Sequence, residues 1–180
     1  MATDYTSYVM NPRLVLSDKP MQTRSNVLIK GINTNIPWAA GQFLYVDTSG
    51  RALAQITSAA SVATSGGIKY FSLTNAAIGA AGTDTVTADV GVITPDMIFE
   101  GHKTATTATT ALIGTQSGIN VTAASTTGSI VTVNADATYP HVEITDVGYN
   151  FDPAKYDSAD TCPVIRFKVL DIALQAVPIA

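Results

Sequence analysis

Cysteine occurs once, at Cys162, so no intrachain disulfide can staple this chain. Cys162 precedes Pro163 at the start of the last predicted strand and reads as a small buried hydrophobe. Charge is also scarce: Asp, Glu, Lys and Arg make up 13% of the 180 residues, where globular chains carry roughly 25%. The Lys and Arg residues number 10, form no run, and leave a net charge of −4. That balance lacks the basic footprint that neutralises phosphates, so no nucleic-acid partner is expected. No apolar run approaches the roughly 20 residues of a membrane span, and no basic stretch leading into an apolar one opens the chain. The sequence is therefore expected to be made in a cytoplasm, to stay soluble and to have no membrane partner.

The residues of catalysis are thin as well. Two histidines are present, His102 and His141, and neither sits in a catalytic motif. His141 follows Pro140 and is expected on the outer face of a strand; His102, in Glu100-Gly101-His102-Lys103, is expected in a turn. The densest acidic stretch holds Asp146, Asp152, Asp157 and Asp160, but not at the tight alternate spacing of a calcium loop. No pair of carboxylates stands out for glycoside hydrolysis. Ala80-Ala81-Gly82-Thr83 lacks the lysine of a phosphate-binding loop and reads as a plain loop. These features predict no catalytic residues, no metal and no cofactor.

What is plentiful is Thr, Val, Ala and Gly, with 46% hydrophobic residues overall. That composition suits either a free-standing surface β-protein or a chain whose exterior is covered by neighbours. Short β-forming runs recur between turn signals, and no helical period is sustained. Gln42-Phe43-Leu44-Tyr45-Val46 predicts a strand, stopped by Asp47-Thr48-Ser49-Gly50, with residues 51–57 returning as its hairpin partner. Residues 68–73 form the next strand. Val86, Ala88, Val90 and Val92 share one face of a strand over 85–93 that Pro95 ends. Residues 119–122, 129–134 and 141–147 follow, with Val142 and Ile144 on the inner face of the last. Residues 104–111 are a Thr/Ala-rich loop or one short turn, and 148–160 form a loop. Strand 164–174 turns Ile165, Phe167 and Val169 inward and Arg166 and Lys168 outward. The expected fold is all-β, a small β-barrel or sandwich over residues 27–180, without a regular sequence repeat.

Residues 1–26 read differently. Asn11-Pro12 and Lys19-Pro20 break any helix, and the apolar residues follow no period. This is expected to be an extended N-terminal arm whose anchors Tyr5, Tyr8, Val9, Met10, Leu14, Val15 and Leu16 lie on a neighbour or on the chain's own barrel. The neighbour is the favoured seat, because so apolar a segment is a poor solvated tail.

The order of elements resembles a known family. Trp38-Ala39-Ala40-Gly41-Gln42-Phe43-Leu44-Tyr45-Val46-Asp47-Thr48-Ser49-Gly50 looks like the opening hairpin of tailed-phage head decoration proteins, also called cement or auxiliary capsid proteins. Val90-Gly91-Val92-Ile93-Thr94-Pro95-Asp96-Met97-Ile98-Phe99-Glu100 resembles their central strand and the turn after it. Ile113-Gly114-Thr115-Gln116-Ser117-Gly118-Ile119 and Val164-Ile165-Arg166-Phe167-Lys168-Val169-Leu170 resemble the later strand entry and the closing strand. The match spans about residues 38–175 and leaves out the arm and the Thr/Ala stretch. It implies a homotrimer on the exterior of a virion capsid, with the major capsid protein as partner, and it transfers no catalytic residue. A different expectation is a virion-surface glycan-binding or fibre-like β module, which would use Tyr139, Tyr149, Phe151 and Tyr156 as an aromatic loop edge.

Overall fold

The computed structural model describes residues 12–30, 40–46, 52–53, 68–74, 86–103, 108–122, 130–134, 141–157 and 163–170. The protein is all-β. Its strands are β1 (Arg13–Leu16), β2 (Thr23–Lys30), β3 (Phe43–Val46), β4 (Ala52–Leu53), β5 (Ile68–Ser72), β6 (Val86–Val92), β7 (Ile98–Lys103), β8 (Gln116–Thr122), β9 (Ile130–Asn134), β10 (Val142–Val147) and β11 (Val164–Val169). A 3-10 turn (Thr110–Leu112) and a single helical turn, α1 (Gly148–Phe151), accompany them. Among the described residues no helix is long and apolar enough to cross a membrane.

The strands form two sheets. In the first, β2 pairs with β6, β6 with β5, β5 with β3 and β3 with β4, all antiparallel; β4 returns to β2 in parallel through Ile29–Ala52 and Lys30–Leu53. In the second, β7 pairs with β11, β11 with β10, β10 with β8 and β8 with β9, again antiparallel. Here β9 returns to β7 in parallel through His102–Thr132 and Lys103–Val133. The wiring is the same in both. Within each five-strand unit the first strand pairs with the fifth, and its last two residues pair in parallel with the third; the second strand joins the third to the fourth. The units have nearly equal length, residues 23–92 and 98–169, and only residues 93–97 separate them. No residue pattern in the sequence announces this duplication, because the repeat lies in pairing order rather than in side chains.

Alternation explains most of the elements. On β6, Ala88 and Val90 are buried while Thr87 is exposed. On β10, Val142 and Ile144 are buried, and on β11 so are Ile165, Phe167 and Val169, with Arg166 and Lys168 at the surface side. Val164 is buried as well, and packs with Tyr156 in a small satellite cluster.

One main core crosses between the units. Phe43 of β3 and Phe71 of β5 meet Phe99 of β7 and Phe167 of β11. Ring centroids are 5.0 Å apart for Phe43–Phe99, edge-on at 75°, and 5.0 Å for Phe71–Phe99. Phe43–Phe167 is 5.9 Å and Phe99–Phe167 is 6.1 Å. Tilted and edge contacts at these distances add to simple area burial. Gly101 makes room for the cluster: a Cβ there would stand 3.0 Å from a Phe167 ring carbon and 3.4 Å from Pro12 Cγ.

Residues 12–26 are woven into these sheets. β1 pairs antiparallel with β7, and β2 begins at Thr23. Asn26 takes a left-handed backbone, φ 56°, where β2 carries an irregularity between Arg24 and Val27. Asparagine tolerates that region better than branched residues do. Of the other expected elements, residues 1–11, Cys162, 80–83 and 104–107 lie outside the described residues.

Gln42 is fully buried, and neither its side-chain nitrogen nor its oxygen has a hydrogen-bond partner among the described residues. An unsatisfied buried amide costs about 1–3 kcal/mol. Gln42→Met, which keeps the length and drops the polar atoms, is expected to raise the urea midpoint. Phe99→Ala is expected to cost about 3–5 kcal/mol by emptying the centre of the cluster. Both are read by urea denaturation; a Phe99→Ala loss below about 1 kcal/mol would place the main core elsewhere.

Candidate interaction surface

The outer face of the second sheet is built from cross-strand rows whose register the backbone sets. Arg13 on β1, Glu100 on β7 and Arg166 on β11 are direct neighbours across three strands. The Arg13 guanidinium donates to Glu100 Oε1 at 2.7 Å, and Arg166 Nε lies 3.6 Å from Oε2, an ion pair without a hydrogen bond. Arg166 also stacks over the Phe151 ring, 4.0 Å from its centroid. The arginines cover the carboxylate, so Glu100 is only 5% exposed although it points away from the phenylalanine core. A second row runs Leu16, Ile98, Lys168, Glu143 and Gln116, closed by a Lys168–Glu143 ion pair at 3.3 Å.

Leu16 reaches this face because of a bulge. Leu14 pairs with Phe99 but Leu16 pairs with Ile98, so Val15 is the extra residue. Residues two apart on a regular strand share a face; here they do not. Leu14 packs on the main core, while Leu16 is thrown outward and is 61% exposed. β1 is the terminal strand of its sheet, which makes Leu16 a large apolar side chain at a sheet edge. Among the described residues Ile113, just after the 3-10 turn, is the other large exposed hydrophobe, at 40%.

A polar clamp holds the exit of β1. Asp96, in the segment between the two units, accepts from the Asp18 N–H at 3.0 Å and from the Ser17 hydroxyl at 3.1 Å. The Thr94 hydroxyl supplies the largest effect holding the Asp96 carboxyl below its ordinary 3.8; partial burial opposes it, and Ser17 and Asp18 reinforce it.

Of the expected anchors, Tyr5, Tyr8, Val9 and Met10 fall outside the described residues. Leu14, Val15 and Leu16 are placed on the chain's own second sheet, with Leu16 alone turned to solvent. Both histidine expectations are corrected. His102 is a buried residue of β7 rather than part of a turn, because β7 runs straight through Gly101 between β11 and its two partners on the other edge. His141 is buried rather than outward, and its Nδ1 accepts the Ile119 N–H at 3.0 Å, which leaves Nε2 to carry the ring proton.

The loop expected over 148–160 contains α1, and its described aromatic residues are engaged by the chain's own side chains and backbone. Tyr156 is buried, Phe151 lies beneath Arg166, and the Tyr149 hydroxyl accepts the Thr110 N–H at 2.9 Å. Tyr139 and Asp160 lie outside the described residues. Asp146 is engaged locally, accepting the Val147 N–H at 2.9 Å. Among the described residues no group of three or more His, Cys, Asp and Glu converges as metal ligands would.

Sequence reasoning missed Arg13, Glu100 and Asp96 as structural residues. In the sequence Glu100 reads as part of a turn and Arg13 as part of an arm; only the register brings them together. No family model matches the chain, and no curated protein or solved structure is significantly similar to it.

Removing both arginines strands a buried carboxylate, whereas removing the acid releases two arginines that can turn to water. Arg13→Met with Arg166→Met is therefore expected to cost about 3–5 kcal/mol, and Glu100→Gln only about 1 kcal/mol. The reverse ranking in urea titrations would show that Glu100 is not held by this pairing. For Asp96, whose folded carboxyl is the stronger acid, the stabilisation is present above pH 3.8 and fades as pH falls through the lower folded value. Thermal midpoints of wild type and Asp96→Ala should accordingly differ by a constant amount near neutrality and converge in acid; a gap that widens in acid contradicts the clamp.

Proposed function

We propose that this chain is a structural, non-enzymatic protein that decorates the exterior of a phage head. It binds the major capsid protein as a homotrimer and bridges capsomer junctions. The observation that carries the reading is Leu16, a large apolar side chain that a bulge turns outward on the terminal strand of a sheet. Support comes also from the resemblance of the segments at 38–50, 90–100, 113–119 and 164–170 to head decoration proteins, and from a surface poor in charge. Few charges mean little desolvation cost when such a surface is covered. A net charge of −4 suits the outside of a shell, away from the genome.

The mechanism is mechanical. A pressurised shell fails where capsomers part, and a symmetric body seated over the junction ties them together. Each contact is weak, but once one subunit is seated the next contacts are intramolecular, and their effects multiply. Upstream of β1 the sequence supplies further apolar side chains, Tyr5, Tyr8, Val9 and Met10, as anchors for a neighbour.

Light scattering on the purified chain should return about three times 18.7 kDa. Heads stripped of their decoration should recapture wild-type protein on cosedimentation. Leu16→Asp should lose about tenfold or more in that binding, by burying a charge where a side chain was apolar, with its melting curve unchanged. Equal recapture of Leu16→Asp would remove β1 from the binding surface, and no recapture of wild type would reject the function.

A further inference from the structure

We propose that the outer edge of β2, along residues 23–27, is a strand-addition site that receives the N-terminal segment, residues 1–11, of a second copy of this chain. The argument starts from the shared wiring of the two units. In the second unit, β7 gives one edge to β11 and divides the other. Its last two residues, His102 and Lys103, take β9 in parallel, and Ile98, Phe99 and Glu100 take β1 antiparallel. In the first unit, β2 gives one edge to β6, and Ile29 and Lys30 take β4 in parallel. The stretch equivalent to the one β1 covers is therefore residues 23–27. No strand pairs with that outer edge among the described residues, and residues 22–26 are all exposed.

An open edge presents backbone N–H and C=O groups that an extended segment can pair with. The irregularity at Arg24–Val27 and the left-handed Asn26 bend this edge, which limits indiscriminate pairing and keeps the site short. β1 itself is only four residues long, so a short site suffices for the equivalent contact.

Charge and connectivity select the occupant. Arg24, whose guanidinium rests across β6 against Tyr70 and donates to its hydroxyl at 3.3 Å, is the only charged side chain between Met21 and Ile29, and Asp4 is the only one in residues 1–11. Tyr5, Thr6, Tyr8 and Val9 favour extended structure, and residues 1–11 contain neither glycine nor proline. The segment cannot serve its own β2 without retracing β1. It joins β1 at Arg13, beside Glu100, whereas the chain leaves β1 at Leu16, beside Ile98, on its way to β2. A second copy meets no such obstacle, and reciprocal exchange of the segment around a ring gives closed symmetry.

The proposal deepens the self-association part of the function above and does not require a capsid. Its test uses the full chain. Sedimentation velocity across a concentration series should show association, weakened about tenfold or more by Arg24→Glu and by Asp4→Arg, and recovered in the double variant Asp4→Arg/Arg24→Glu. Amide hydrogen exchange of wild type should show residues 23–27 slowed only at concentrations where the oligomer forms. That second readout stands even if a charge variant folds poorly. A chain that stays monomeric at every concentration, single variants that associate as wild type does, or a double variant no better than either single one would overturn the proposal. So would protection of 23–27 in the monomer, which would mean the segment serves its own chain. A monomer that still binds heads would remove this inference together with the homotrimer and leave capsid decoration standing.

Discussion

The contact on which the rest of this molecule depends is the meeting of four phenylalanines, two from each sheet. Phe43 and Phe71 come from the first unit, Phe99 and Phe167 from the second, and each of the cross-unit pairs Phe43–Phe99 and Phe71–Phe99 is 5.0 Å between centroids. A five-strand unit of this size buries little on its own. Sharing one core lets two small units act as a single body, with the short segment 93–97 between them. Asp96, in that same segment, pins the exit of β1, so one stretch of chain both separates the units and ties the N-terminal strand to their junction.

Apolar packing orders the inside, and register orders the outside. The bulge at Val15 sends Leu14 to the core and Leu16 to solvent, while the neighbouring Arg13 reaches Glu100 across the strands. The outer face is consequently a mixture: an acid sheltered by two arginines, a Lys–Glu pair, and an apolar side chain at the margin. The fifth phenylalanine, Phe151, belongs to this face rather than to the core, since it supports the Arg166 guanidinium.

Much of the architecture was legible in the residue pattern. The strands at 86–92, 142–147 and 164–169 alternate apolar and polar residues and their buried faces follow that alternation, while 43–46 is an apolar run in which Phe43 and Leu44 are both buried. β7 was not legible. Ile-Phe-Glu-Gly-His-Lys does not alternate and holds a glycine that looks like a turn former, yet β7 pairs with three other strands. Its Glu, Gly and His are explained by partners distant in sequence: arginines from β1 and β11 for Glu100, and the Phe167 ring against Gly101. β1 was hidden for a related reason. Four residues between prolines carry no period, and only the waiting edge of β7 makes them a strand. The duplicated wiring left no trace that a single sequence can reveal, because equivalent strands fill different spaces with different side chains.

The shared core also constrains how the chain comes to be folded. When residues 23–92 have left the ribosome, the first unit has all its strands but faces water with Phe43 and Phe71, whose partners Phe99 and Phe167 are not yet made. The last of these rings sits in β11, the last strand among the described residues. Synthesis must therefore pass β11 before the nascent first half can shelter its aromatic side chains, and the two units fold together, late and cooperatively, rather than maturing in turn.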